Sequence, residues 1–212
     1  LDEIMGYFQY SLRLAGYYQD HGVPIAVTVA TGAAGDNSPG MAPPSLGTAG
    51  RVLGVLSAAT QGVKHMITVN WSHGNIAQDV ASSMVTQKLA REYLDRFGFK
   101  DTHVYMENGC LGGPYPYDFD EAFAEVMYAG VVAALTGSQM CQVKTFDESS
   151  GIPTLDNQIR SLRGTAMMYR ILRTPDLDFP NSKDVQEEAA MEEREVRAIV
   201  EKVLELGDGD VL

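Results

Sequence analysis

Met66-Ile67-Thr68-Val69, a short β-branched run ending at Asn70, gives way to the polar loop Trp71-Ser72-His73-Gly74-Asn75 and then to a helical stretch over residues 76–96 that stops at Gly98. The same succession of run, loop and helix starts at residues 25–29, 103–105 and 140–143, spaced by roughly 37 to 40 residues. Parallel strands need crossover helices, so this rhythm predicts a parallel sheet whose loops gather at one end. Four consecutive units with no nucleotide fingerprint favour part of a (β/α)8 TIM-type barrel over a doubly wound sheet. The chain is therefore expected to supply about four β/α units plus a C-terminal helix of a single catalytic domain spanning residues 1–212.

The flanking segments fit this plan. Residues 7–19 carry apolar or aromatic side chains at helical spacing and end at Gly22-Val23-Pro24. A Gly-, Pro- and Ala-rich stretch over 32–50 reads as a long loop, with a helix over about 46–61. After the third strand, Glu107-Asn108-Gly109-Cys110-Leu111-Gly112-Gly113-Pro114 is built from turn formers, and Asp118 or Asp120 is placed to cap the next helix. Residues 153–172 read as a helix begun by proline. Val185, Ala189, Glu192, Val196, Val200 and Val203 give an incomplete stripe on a C-terminal surface helix whose acidity is a solvated face. The chain opens at Leu1 inside an amphipathic stretch, without an initiator Met, and half a barrel has two unpaired edges; both point to a piece of a longer protein whose N-terminal strands lie elsewhere.

A net charge of −12 argues against a nucleic-acid or anionic-membrane surface, which needs a basic patch. Small molecules and protein partners remain. Cys110 and Cys141 lie in different units without C-x-x-C spacing, so neither a disulfide framework nor a zinc site is expected, and a cytoplasmic location fits. No apolar run reaches the length of a membrane span.

The sharpest cluster follows the fourth run: Lys144-Thr145-Phe146-Asp147-Glu148-Ser149-Ser150-Gly151-Ile152-Pro153-Thr154. Lys144 and Glu148 lie four apart and offer an ammonium donor and a carboxylate acceptor to a hydroxyl-bearing ligand. The plainer account is a solvent-exposed ion pair. A strand-end lysine is also what a Schiff-base lyase or aldolase-type barrel uses. His73 sits where it can serve a ligand or simply the surface, whereas His21 and His65 fall at the end where the strands begin and read as structural. No histidine pair has metal-ligand spacing, so no protein-bound metal is expected. Asp101-Thr102-His103-Val104-Tyr105-Met106 starts like the D-x-H-x-x-G signature of cobalamin-holding proteins but has Met in place of the glycine and puts the histidine inside a strand. The Gly-rich stretch over 32–50 lacks a P-loop ending. Gly112-Gly113 would let backbone approach a flat ligand closely, or simply make a tight turn.

Val143-Lys144-Thr145 with Glu148 and Gly151-Ile152-Pro153-Thr154 resembles the cassette in the large (epsilon) subunit of adenosylcobalamin-dependent glutamate mutase, also called methylaspartate mutase. Further stretches agree in order: Ala42-Pro43-Pro44-Ser45, Gln61-Gly62-Val63-Lys64, Gly74-Asn75 with Gln78-Asp79, Glu92-Tyr93-Leu94, Leu111-Gly112-Gly113, and Glu205-Leu206-Gly207 with Gly209-Asp210. The resemblance covers residues from about 14 to the end. It implies a (β/α)8 barrel that meets a separate small cobalamin-binding subunit in a hetero-oligomer, with adenosylcobalamin between them. The implied reaction interconverts L-glutamate and (2S,3S)-3-methylaspartate through an adenosyl radical, the barrel excluding solvent and aiming the radical at the amino-acid substrate. Residue by residue, Lys144 and Glu148 match the pair that binds the ribose hydroxyls of the adenosyl group, and Leu111, Gly112 and Ile152 match the cofactor side. The substrate-clamping arginines belong to earlier strands, so no catalytic residue is assigned here. Two departures stand out. Thr31-Gly32-Ala33-Ala34-Gly35 replaces a Phe-Gly-Pro stretch, and Asn108-Gly109-Cys110 stands where the family places a histidine, which puts the identity of the substrate in doubt. The rival readings are the Schiff-base lyase using Lys144 and a non-catalytic barrel that only docks a partner.

Overall fold

The computed structural model describes residues 2–29, 43–110, 116–174 and 177–208. Four parallel strands, β1 (Val27–Thr28), β2 (His65–Trp71), β3 (His103–Gly109) and β4 (Met140–Gln142), form one sheet in chain order. Helix α1 (Asp2–Asp20) precedes the sheet; α2 (Pro44–Thr60), α3 (Ile76–Arg96), α4 (Phe119–Thr136) and α5 (Leu155–Leu172) each follow a strand, and α6 (Lys183–Leu206) closes the order. A strand order without reversal is what successive barrel units share, and a doubly wound sheet would turn back on itself.

Several boundaries differ from the sequence reading. The predicted first strand over 25–29 shrinks to two paired residues, because only Val27 and Thr28 find register partners on β2. β3 runs on through Glu107, Asn108 and Gly109, which pair with β4, so these three belong to the strand and not to the loop after it. Helix α2 begins at Pro44, two residues ahead of the start read at about 46, with Pro44 at a position where a missing N–H costs nothing. At α5 the cap is Thr154, whose hydroxyl accepts from Asn157 N, and Pro153 stands just before it. Of the two candidate caps for α4, Asp118 does the work, accepting from the N–H groups of Asp120 and Glu121.

One face of the sheet is covered by helices. Met66 joins Val52, Val55, Leu56, Leu89, Tyr93, Leu94, Val196 and Val200 in the main buried cluster. The opposite face carries His65, Ile67, Tyr105 and Met140, which line an open groove of about 580 Å³ near the end where the strands begin. His65 stacks on His103, its register partner, with ring centroids 5.0 Å apart, in the structural setting expected for it.

The acidic helix α6 is more than a solvated face. Glu192 is buried; it accepts from Thr48 Oγ1 on α2 at 2.6 Å and from Ser82 Oγ on α3 at 2.8 Å. Burial pushes its carboxyl up, against the pull of those two hydrogen bonds and of the charges on Arg51 and His73. Arg51, also buried, donates to Thr48 Oγ1, Thr86 Oγ1 and the Val69 carbonyl, so the two charges share Thr48 and tie α2, α3 and α6 to the sheet. Val203 is exposed and Leu204 takes its place in the stripe. No helix among the described residues is long and apolar enough to cross a membrane.

Candidate functional site

The carboxyl ends of β2, β3 and β4 bring together Trp71, Gly109 and the segment beginning at Lys144. That segment folds by dividing its side chains. Thr145, Phe146 and Asp147 are buried, while Glu148, Ser149 and Ser150 are exposed. Phe146 is the anchor: it packs with Ala122, Val126, Phe123 and Val143, edge-on to Phe119 and Phe123, with the Arg160 guanidinium 5.0 Å from its ring centroid. Asp147 then ties the loop to α5. Its Oδ2 accepts from Asn157 Nδ2 at 2.7 Å and from Thr154 N at 3.3 Å, and the Asn157 contact holds its carboxyl below the ordinary range. Gly151, at φ 137 and ψ −146, takes a conformation that side-chain-bearing residues avoid, and so lets the chain leave the short helical turn Glu148–Ser150 toward Thr154.

With the buried half fixed, the outward half is placed. Lys144 Nζ donates to Glu148 Oε1 at 3.1 Å, with side chains 28% and 41% exposed, so both heads are reachable from solvent and still ordered by the loop beneath them. The ammonium also lies over the Trp71 indole, 5.5 Å from the ring centroid. A Schiff-base lysine needs a desolvated amine in apolar or cationic surroundings. A carboxylate at 3.1 Å is the opposite setting, and it suits a donor–acceptor pair presented to a hydroxyl-rich ligand. Ile152, 97% exposed, stands uncovered four residues beyond Glu148, an apolar side chain available to a ligand or partner. Leu111 and Gly112 lie outside the described residues, as do Gly113 and the stretch 31–35.

The loop after β2 is built differently. Asp79, on the first turn of α3, is wholly buried; its Oδ1 accepts from His73 N at 2.7 Å and lies 3.2 Å from His73 Nδ1, while its Oδ2 accepts from Gly74 N at 3.2 Å and from Tyr128 OH at 2.8 Å. His73 is thus engaged by a buried carboxylate and is not a free surface histidine. Below it, Asn70 Nδ2 donates to Ser83 Oγ and Asn108 Oδ1, and Asn108 Nδ2 donates to Thr136 Oγ1 and Ser138 Oγ. Asn108, at the position compared with the family's histidine, faces the helix layer inside this network. Among the described residues no group of three or more His, Cys, Asp or Glu is placed to hold a metal ion.

Sequence reasoning missed Trp71, Phe146 and Asp79. The signal for Phe146 was an aromatic residue between polar ones in a loop; for Asp79 it was a carboxylate one turn into a helix that follows a His-Gly pair. Trp71 carried no local signal, because its partners Gly109 and Lys144 come from two other units.

A consecutively ordered parallel sheet with helices between its strands defines an α/β protein, a class whose ligands gather at the carboxyl ends of the strands. Comparison with known families makes the class specific. The family model for the methylaspartate mutase E chain (MutE) matches residues 1–212, and the chain belongs to that family. It is 34% identical over 205 residues to the glutamate mutase epsilon subunit of Yersinia enterocolitica, covering 96% of this chain and 41% of that protein. The epsilon subunit of Treponema denticola is 32% identical over 211 residues, covering 97% and 41%, and that of Haloarcula marismortui is 32% identical over 205 residues, covering 97% and 40%. The chain thus spans about two fifths of the length of these curated relatives.

Proposed function

We propose that this chain is the C-terminal portion of the (β/α)8 barrel of a large mutase subunit, which interconverts L-glutamate and 3-methylaspartate together with a separate small cobalamin-binding subunit. The observation that carries the reading is the Lys144–Glu148 pair, 3.1 Å apart at the carboxyl edge of a sheet whose four strands run in order. Adenosylcobalamin fits the donor set: an ammonium and a carboxylate side by side match the two hydroxyls of a ribose, each head being accessible. When bound, the coenzyme supplies a carbon radical by homolysis of its cobalt–carbon bond. The residues of this chain do the holding. Lys144 donates to one ribose hydroxyl, Glu148 accepts from the other, and Phe146 and Asp147 keep both heads at a fixed place, so that the reactive carbon of the adenosyl group is aimed and not free to wander. Ile152 offers an exposed apolar side chain on the same loop, while Leu111 and Gly112, which the resemblance assigns to the cofactor side, lie outside the described residues.

The test uses the full-length large subunit assembled with its small partner. Replacing a charge-assisted hydrogen-bond donor costs about 1.5 to 3 kcal/mol, so Lys144→Ala is expected to weaken adenosylcobalamin binding by about 10- to 100-fold while leaving subunit assembly intact. Glu148→Gln is expected to lose less, since the amide still accepts. Unchanged cofactor affinity and turnover in Lys144→Ala would overturn the reading, and borohydride trapping of a carbonyl substrate on Lys144 would replace it with the Schiff-base lyase.

A further inference from the structure

Trp71, the only tryptophan in the chain, closes β2, and its register partner Gly109 closes β3. A Cβ built on Gly109 would fall 2.7 Å from Trp71 Cε3 and 2.8 Å from Cζ3, so the indole rests directly on a bare α-carbon. The half-buried ring reaches across to the residue that follows β4 in space, with Lys144 Nζ 5.5 Å from its centroid. Any side chain at position 109 would push the ring out of this place. Two neighbouring strand ends are therefore arranged to put an aromatic face under an ammonium supplied by a third.

We infer that Trp71 is a positioning residue for Lys144, and that Gly109 is required because it seats the indole. The ring's negative face attracts the ammonium on one side while the Glu148 carboxylate takes it on another, which confines a long, rotamer-rich side chain to one place. Lys144 then meets a ribose hydroxyl without first losing that freedom, and the pair discriminates by hydroxyl geometry more sharply than a swinging lysine does. This inference rests on the reading of Lys144 and Glu148 as the ribose grip, and its test separates the two.

In the full-length subunit with its small partner, binding of adenosylcobalamin and of its 2′-deoxyadenosyl analogue is titrated for Trp71→Phe, Trp71→Ala, Gly109→Ala, Lys144→Ala and the double variant Trp71→Ala/Lys144→Ala. A cation–π contact between exposed and desolvated limits corresponds to about 3- to 30-fold. Trp71→Ala is expected to weaken binding by that factor and to shrink the preference for the ribo form; Trp71→Phe, which keeps an aromatic face, retains most of both. Gly109→Ala is expected to resemble Trp71→Ala, and the double variant to be no weaker than Lys144→Ala alone. Independently of any nucleoside, the rate at which an amine-reactive ester labels Lys144, read by peptide mass spectrometry, is expected to rise several-fold in Trp71→Ala and to change little in Trp71→Phe. Losses that multiply in the double variant, or labelling unaffected by Trp71→Ala, overturn the positioning role. If Lys144→Ala leaves binding untouched while labelling still responds to Trp71→Ala, the positioning contact stands and the ribose reading falls.

Discussion

The loops after β2 and after β4 open at the same end of the sheet, and each is organised by an aspartate, yet they spend that carboxylate differently. Asp79 is wholly buried and turns all of its hydrogen bonds on its own neighbourhood: His73, Gly74 and Tyr128. Asp147 uses one oxygen to pin the chain to α5, and the two residues flanking the buried turn, Lys144 and Glu148, keep their charged heads toward solvent. The first loop is a frame. The second is a frame that also carries a donor and an acceptor at its outer edge, paired with each other and partly exposed, and the proposed site rests on that arrangement.

If this contrast is right, stability and binding should separate under substitution. The largest loss of stability is expected for Phe146→Ala, about 3 to 5 kcal/mol, because a buried aromatic anchor is removed from between α4 and α5. It should also abolish cofactor affinity, since it frees the loop that carries Lys144 and Glu148. Urea unfolding of the full-length subunit measures the first and a binding titration the second; retained affinity at that loss of stability would show that Phe146 does not set the pair. Asp79→Ala leaves three donors without their acceptor and is expected to cost about 2 to 4 kcal/mol. A cost under about 0.5 kcal/mol, which is the size typical of neutral surface changes, would deny the loop after β2 its role as frame.

A pH series sharpens the comparison further. Glu192 lies below the loop after β2, bonded to Ser82 one turn beyond Asp79, and burial raises its carboxyl above the ordinary glutamate range. A group raised on folding contributes stability that is full below the unfolded value and is lost as the pH rises through the folded one. Glu192→Gln cannot ionise, so its stability relative to the parent is expected to climb as the pH rises across that window. Parallel pH curves for the two proteins would show that the Arg51 charge and the two hydroxyls cancel the burial cost. The smallest stability change belongs to Lys144→Ala. The pair is half-exposed, and such pairs are worth about 0.2 to 1 kcal/mol. A larger change in unfolding would place Lys144 in the frame and not in the site.

Periodicity and turn chemistry were enough to read four parallel units, the start of α3 after Asn75, a cap for α4 at Asp118 or Asp120, and the loop that carries Lys144 and Glu148, whereas α5 was read from Pro153 and not from its Thr154 cap. They misplaced Asn108 and Gly109, because a polar residue followed by glycine looks like a turn whether or not a neighbouring strand supplies ladder partners. β4 supplies them, and Asn108 finds Ser83, Thr136 and Ser138 behind it. Glu192 falls on the inward stripe of the C-terminal helix, but what a carboxylate does there was not legible: its partners Thr48 and Ser82 lie more than a hundred residues away in sequence, where no local pattern reports them.

The strand-loop-helix order, the ends at which loops collect and the presence of a donor and an acceptor four residues apart were all written locally, through backbone propensity and the alternation of apolar and polar side chains. Which of the two aspartates would be sealed and which would leave its neighbours facing outward was decided only by packing. So was the meeting of Trp71, Gly109 and Lys144, since three strand ends become adjacent only when the sheet closes its register and brings distant residues within reach of one another.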